Sequence, residues 1–525
     1  MDRILTAEEL GEKIKEISIA EFFEKNRHLL GYENPTKSLL TVVKESVDNS
    51  LDACLESRIL PTIKVLVKQL TENKFRVKVE DNGPGLPPEK IPIAFGKFLV
   101  GSKFSALKQL IGTQGIGVKG AILYAQLTTG NPAKIITYYK GKKHEFVMGI
   151  DILKNEPNVI SHKVEKSDKK AHGLSVDLIV EGRYVKGLQS IPTYLRYISI
   201  ANPYAKIIFD SPNGKIVFER ATNKLPPIPK EIKPHPYGVE LGKLKRMLKL
   251  TKYKTLVSFL KNEFSRVSMQ KAKQICKLAK IAQTRNPKEL THKEVEKLHK
   301  VMQMVKLKAP PTNCLSPLNK EMLISGLKRE FPEGEFFDAI IRKPSVYRGN
   351  PFQVQAAIVY GENLNLNGAL VLRFANHTPL LYNQGECAIT KAVQGINWRN
   401  YGLSQSEGSL PNSPVVILVD FLSVWIPYTS EGKQAIAQYP EIIKEIKLAL
   451  QELGRRLGSY IRKKKRIRER QLRKQLFERY IPEVAKSLAK LTEKDEKQIL
   501  NKLESFVKKN EVRENELSSK NDKKA

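Results

Sequence analysis

Glu45, Asn49 and Asp52, within Lys44–Cys54 (KESVDNSLDAC), fall at helical spacing, so a helix here stacks a carboxylate, an amide and a second carboxylate along one side. An acid beside an amide oxygen suits a magnesium-nucleotide site: the acid orients and deprotonates water, and the amide completes an octahedral ion that phosphates also hold. The same residues also suit a solvated helix face, and this stretch alone leaves both readings open. A second stretch, Asp81-Asn82-Gly83-Pro84-Gly85, places a carboxylate at the end of a strand and in a tight turn. An aspartate there can accept a hydrogen bond from an exocyclic amine such as adenine's, and the glycines let a flat ligand approach, although Asp-Asn-Gly is also a plain turn signal. A third, Gly112 to Gly120 (GTQGIGVKG), has glycines whose backbone N–H groups can converge on phosphates, with a helix beginning near Ala121 pointing its positive end at them.

Gly115-x-Gly117-x-x-Gly120 has the spacing of a dinucleotide-binding fingerprint, but that fingerprint requires a strand immediately before it, and the lysine-rich 103–108 region precedes it here. The spacing of a phosphate-binding P-loop is absent, and so are the His-Arg-Asp and Asp-Phe-Gly signatures of a protein kinase.

In this order, the Glu45 helix, the Asp81 turn and the glycine segment resemble the three nucleotide motifs of the Bergerat-fold ATPases, the superfamily of DNA gyrase, MutL mismatch-repair proteins, ninety-kilodalton heat-shock chaperones and histidine kinases. The resemblance implies Glu45 as general base, Asn49 as magnesium ligand, and Asp81 with Gly83 and Gly85 as the adenine site. It implies ATP and Mg2+ as cofactors, with Gly112, Thr113, Gln114, Gly115, Ile116, Gly117, Val118 and Lys119 as a phosphate-binding lid hinge and Ser102 and Lys103 in the lid. Asp52 is either a further site residue or a structural partner.

The elements that must position these residues follow from periodicity. Residues 1–34 read as a polar arm that either frays or embraces a neighbour, and Asn34-Pro35-Thr36 starts a helix, with Leu40, Val43, Val47 and Leu51 opposite the polar side. Thr62–Gln69 and Phe75–Asp81 alternate as a hairpin, and further strands are expected at 134–139, 145–150, 174–180, 206–210 and 216–219, with a helix at 191–200. Helices over a mixed sheet predict a two-layer α/β (α+β) sandwich over residues 35–225. Five prolines between Leu225 and Tyr237 mark a boundary. Residues 226–308 then read as linker and lysine-rich helices that resemble a helix-two-turns-helix module; they either bind DNA or act as a spacer. His292 and His299 there lack companions at ligand spacing and read as surface residues.

Ala309-Pro310-Pro311 opens a second α/β region, 309–475, with strands at 352–360, 369–375 and 415–424 and a long helix from Ile436 through Gln475. By resemblance this is a transducer domain with a left-handed β-α-β crossover. Ser430-Glu431-Gly432-Lys433 is expected to follow a strand and open a helix; Lys433 is then either an exposed first-turn lysine or, given the upstream motifs, a lysine reaching a γ-phosphate. Arg462–Lys474 holds nine basic residues and one acid, suiting either phosphates or a partner-binding stalk, and 476–525 reads as a helical and polar tail whose last residues are expected to be disordered.

Across 525 residues the formal net charge is +35 with a pI near 9.8, which favours a polyanionic partner such as nucleic acid. Cys54, Cys276, Cys314 and Cys387 form no Cys-x-x-Cys pair, so neither a zinc site nor a disulfide framework is indicated, as fits a reducing cytoplasm, and no apolar run is long enough for a membrane span.

Taken together, the order of parts resembles the B subunits of DNA topoisomerase VI over almost the full length. That implies the ATP-driven clamp of a type IIB topoisomerase, working as an A2B2 heterotetramer whose separate A subunit carries the cleavage tyrosine. It implies dimerisation of B chains on ATP, capture of a DNA duplex, relaxation and decatenation, and a cytoplasmic, nucleoid-associated location. The alternatives are a MutL-like DNA-repair ATPase, which should lack the basic helical insert, and a Bergerat-class chaperone, which the positive charge argues against.

Overall fold

The computed structural model describes residues 16–506 apart from Ser102, Phe104, Ser105, Thr113, Gln114, Glu431, Glu493 and Lys494. The expected disorder at the end of the tail lies outside the described residues. Residues 16–397 with 404–453 form one compact unit, and Trp398–Leu403 with Gly454 onward form a second.

The first unit opens with α1 (Ile19–Lys25) and α2 (Pro35–Glu56). Helix α2 begins where expected: Pro35 occupies the first turn, and the Asn34 side chain accepts from Lys37 N at 2.9 Å. The described part of the 1–34 segment is neither frayed nor extended. Ala20, Phe23 and Tyr32 are buried, the Phe23 and Phe98 ring centroids lie 5.1 Å apart, and Tyr32 stacks on Tyr124 at 4.9 Å.

Strands β1 (Thr62–Gln69), β2 (Lys74–Asp81), β3 (Ala133–Tyr139), β4 (Lys142–Asp151), β5 (Glu156–Lys166), β6 (Leu174–Glu181), β7 (Lys206–Ser211) and β8 (Gly214–Phe218) form a mixed sheet in the order β5-β4-β3-β6-β2-β1-β7-β8. Only β1 and β7 pair in parallel. Alternate residues such as Ile63, Val65 and Val67, or Phe75, Val77 and Val79, are buried beneath the helices. The unit continues with α3 (Ile91–Gly96), α4 (Gly117–Thr129) and α5 (Ile191–Ala201), and α2, α4 and α5 pack on the sheet. Leu39, Val43, Val47 and Leu51 of α2 are fully buried, each such side chain contributing about 1.5–3 kcal/mol of hydrophobic stabilisation. Strand β5 escapes sequence reading because it is an edge strand, exposed along most of its length and without alternation.

Helices α6 (Leu241–Leu250), α7 (Leu256–Glu263), α8 (Met269–Ala279) and α9 (His292–Met304) close a separate hydrophobic cluster around Leu244, Phe259, Leu260, Ile275 and Leu298. After α10 (Lys320–Glu330) comes a six-stranded sheet of β9 (Phe336–Ile341), β10 (Ser345–Tyr347), β11 (Asn350–Tyr360), β12 (Leu370–Ala375), β13 (Thr378–Pro379) and β14 (Val415–Ser423). Its order is β10-β11-β14-β12-β13, with β9 also on β11; β12 and β14 are parallel and the chain passes between them through α11 (Ala388–Gln394).

Helix α12 runs from Pro440 to Thr492, not from Ile436 to Gln475. Ile436 instead bridges to Tyr428, and the chain turns before Pro440 supplies a first-turn proline. Residues 454 onward of α12 belong to the second unit, where Gly454 and Gly458 lie against Tyr401, leaving no room for a Cβ at Gly454.

Candidate nucleotide site

A cavity of about 660 Å³ lies in the first unit between the 22–32 segment, α2, the glycine segment and residues 432–434. Glu45, Asn49, Lys103, Gly112, Gly115, Ile116, Gly117, Val118, Lys119 and Lys433 all line it, so most of the residues singled out in the sequence meet in one place. Ser102, Thr113 and Gln114 lie outside the described residues.

The helical spacing of α2 divides the work along its face. Glu45 is half-buried against the start of α4, and a Cβ at Gly117 would fall inside its carboxylate, so only glycine leaves the acid its place. Asn49, one turn on, is exposed, with Oδ1 3.4 Å from where a Cβ at Gly112 would sit. Asp52 is buried and fully engaged: Oδ1 accepts from Ile111 N at 3.1 Å, and Oδ2 accepts from Gly112 N at 3.0 Å and Lys103 Nζ at 2.6 Å. Of the two readings of Asp52, the structural one holds, and Lys103 is tied to it.

Residues 109–111, which lead into the glycine segment, are also held by the turn after β12 and by two loops. Asn376 Nδ2 donates to Leu110 O at 2.9 Å, Ser316 N donates to Gln109 Oε1 at 2.7 Å, and Lys433 Nζ lies 3.4 Å from Ile111 O. Lys433 is neither exposed nor at a helix start: it is 7% exposed and sits in a loop at φ 52°, seven residues before α12. The expectation that Ser430–Lys433 opens a helix is therefore corrected. A left-handed loop residue turns this side chain inward, where a first-turn lysine would face solvent.

Two further groups of α2, Lys44 and Asp48, had no sequence signal beyond lying on the same helix as Glu45. Lys44 Nζ is 4.0 Å from Glu45 Oε1, and burial lowers its pKa despite Glu45 and Asp48 nearby. Asp48 is buried and accepts from Tyr194 OH at 2.7 Å, and burial raises its carboxyl pKa to about 6. Lys119, on the first turn of α4, is held by Val100 O, and burial lowers its pKa to about 8. Helix α4 starts at Gly117 rather than near Ala121, which brings its first-turn N–H groups to the cavity wall.

Asp81, Gly83 and Gly85 do not line this cavity; they lie where β2 ends. Asp81 is buried and accepts from Ser50 Oγ at 2.9 Å, Gly83 N at 2.8 Å and Leu174 N at 3.3 Å; burial still raises its pKa against these donors. Ser50, on α2, was missed by sequence reasoning; it is one residue beyond Asn49 and so faces the sheet. Gly85 has φ 70°, and a Cβ there would meet Thr137 Oγ1 and Tyr138 O, each at 2.9 Å. The turn is closed by Thr137 Oγ1, which accepts from Leu86 N and donates to Leu86 O, both at 2.9 Å.

A carboxylate against a glycine-lined helix start, a neighbouring amide, converging backbone N–H groups and inward lysines make a site for the phosphates of a nucleotide. Residues 37–177 match the family model for histidine kinase-, DNA gyrase B- and HSP90-like ATPases, and the fold is that of this ATPase class. Residues 310–473 match the model for the topoisomerase VI B subunit transducer.

The chain is 45% identical to the type 2 DNA topoisomerase 6 B subunit of Archaeoglobus fulgidus over 93% of its own length and 81% of the relative's. It is 44% identical to that of Methanococcoides burtonii over 93% and 79%, and 37% identical to that of Pyrococcus horikoshii over 96% and 98%. The chain belongs to the family of type 2 DNA topoisomerase 6 B subunits.

Proposed function

We propose that this chain is the ATP-hydrolysing clamp of a type IIB DNA topoisomerase, with double-stranded DNA as its cargo and a separate A subunit cutting and rejoining both strands. The observation that carries the reading is the enclosure of the Glu45 carboxylate between Lys44, the start of α4 and the Lys433 loop within a single cavity. Chains pair on binding nucleotide and assemble with two A subunits as A2B2, in the cytoplasm and at the nucleoid. The described residues include no helix long and apolar enough to cross a membrane. The division of labour follows residues 35–225 as nucleotide domain, 226–308 as helical insert, 309–475 as transducer and stalk, and 476–525 as tail.

In this reading Glu45 orients the attacking water and takes its proton, with the Lys44 ammonium beside it. Asp81, fixed by Ser50 and Gly83 N, accepts from the exocyclic amine of adenine. Backbone N–H groups of Gly115, Gly117 and Val118 hold phosphate oxygens, and Asp52, which takes the Gly112 N–H, fixes the start of the glycine segment. Lys433 supplies the cation for the terminal phosphate, joining the second sheet to the occupancy of the site. The cavity also fits magnesium: Asn49 offers a carbonyl oxygen beside Glu45 and the glycine segment. When bound, Mg2+ neutralises phosphate charge as a Lewis acid.

Glu45→Ala is expected to retain nucleotide binding while lowering ATP hydrolysis by about 10²–10⁴-fold, the usual contribution of a positioned general base. Hydrolysis at the wild-type rate, measured by phosphate release beside a nucleotide-binding titration, would overturn the assignment.

A further inference from the structure

Among the described residues, Lys37, Lys44, Lys103, Lys119 and Lys433 line the nucleotide cavity against the single acid Glu45. Four of these lysines are engaged elsewhere: Lys37 with Glu33, Lys103 with Asp52 at 2.6 Å, Lys119 with Val100 O, and Lys433 with Ile111 O at 3.4 Å. Lys44 is different. Its ammonium makes no hydrogen bond to a described residue, its ion pair with Glu45 Oε1 is a loose 4.0 Å, and 15% of its side-chain surface stays accessible.

The sequence places it there. Lys37, Leu40, Thr41, Lys44 and Glu45 recur along α2 at three- and four-residue steps and all line the cavity, so the residue before the base shares its wall. The surroundings leave its charge poorly balanced. Burial lowers the Lys44 pKa; Glu45 and Asp48 oppose this, and Lys433 and Lys37 add to it. Lys44 and Lys433 therefore repel one another in a cavity with one acid on its wall, and an anion bound to both removes that repulsion.

We propose that Lys44 is a further catalytic residue for ATP hydrolysis, its open ammonium donating to an oxygen of the same terminal phosphate that Lys433 serves. The proposal rests on the ATP reading of this cavity. In the step itself the water oxygen bonds to the terminal phosphorus as the bridging P–O bond breaks. The water proton passes to Glu45, and ADP leaves with the bonding electron pair. Negative charge moves over the phosphoryl and bridging oxygens, where an ammonium already in place in a cavity is worth more than one in water. Lys44 keeps its own proton throughout. ADP lacks the group that Lys44 holds, so the contact favours the triphosphate over the product.

The test is calorimetric titration of the full chain and of Lys44→Met with ADP and with a non-hydrolysable ATP analogue, each with magnesium, beside phosphate release at saturating ATP. Lys44→Met is expected to bind the analogue at least about tenfold more weakly, with ADP affinity changed by less than about twofold, as for loss of one charge-assisted contact. Its kcat should fall by about 10²-fold, the usual cost of removing one donor to developing charge. Equal weakening of analogue and ADP would make Lys44 a structural part of the wall and overturn the proposal. So would an unchanged analogue affinity or an unchanged kcat. Should Lys44→Met fail to fold by circular dichroism, Lys44→Gln is judged by the same ratio of affinities. Wild-type chain that binds neither nucleotide would instead sink the ATP reading, and this proposal with it.

Discussion

At the scale of single residues, the site works by exclusion as much as by attraction. Gly117 carries no side chain, and its missing Cβ is what lets the Glu45 carboxylate lie against the start of α4. Gly117→Ala is therefore expected to displace the acid and reduce hydrolysis by about 10²-fold or more, approaching the loss seen on removing a base outright. Melting by circular dichroism should show the fold retained; undiminished hydrolysis would mean that Glu45 has another productive position. His377 is a second case where surroundings define a residue. Nδ1 lies 2.6 Å from Asp420 Oδ2 and Nε2 lies 3.0 Å from Ser316 O, so both ring nitrogens must donate and the imidazole is held as a cation. Burial opposes that charge, but Asp420 and the Ser316 carbonyl outweigh it and raise the pKa above 6.5. With the folded pKa above the unfolded one, the stabilisation is complete below about pH 6.5 and is lost as pH rises through the folded value. His377→Gln should cost about 3–5 kcal/mol at pH 6, as for a broken buried pair, and clearly less at pH 9. Urea unfolding of both chains at the two pH values measures the difference, and an equal cost at each would refute the charged pair.

At the scale of elements, the segment 109–112 is the joint between the nucleotide domain and the second sheet. It is pinned from one side by Asp52 of α2 and from the other by Ser316, Asn376 and Lys433. Asp52→Ala would leave Ile111 N, Gly112 N and Lys103 Nζ without their acceptor. Each buried donor stranded in this way costs about 1–3 kcal/mol, and a loosened glycine segment should weaken nucleotide binding by about tenfold. Chemical denaturation and a binding titration on the same preparation test both; loss of stability with unchanged affinity would separate this anchor from the phosphate site. The element scale also explains what sequence reading missed. Strand β5 lacks alternation because only β4 pairs with it, and Ser50 and Asp48 look like ordinary helix residues until β2 and α5 are packed against them.

At the scale of the whole molecule, the proposed clamp joins a positive charge of +35 to nucleotide-dependent closure. In that proposal the charge supplies affinity for a polyanion, and Lys433, whose Nζ lies 3.4 Å from Ile111 O, couples the second sheet to what the nucleotide cavity holds. Pairing of chains on nucleotide is the expected global response: sedimentation velocity should show a shift from monomer to dimer on adding a non-hydrolysable ATP analogue with magnesium. Tight nucleotide binding without that shift would favour an ATPase of the same class with a different output.

The sequence by itself determined the three motif stretches, the hairpin β1–β2, the helix faces and the family, because each depends on local periodicity, glycine placement or motif order. It placed Glu45 and Asn49 on one face of α2, the face that lines the cavity, because helical spacing is a local property. Only the tertiary structure decided that Lys433 turns inward from a loop, that Asp52 anchors backbone, that residues 16–34 pack back onto their own domain, and that Asp81 is held by Ser50 of α2. These outcomes rest on contacts between residues as much as 322 positions apart, where burial and hydrogen-bond partners, not spacing along the chain, set the lowest free energy.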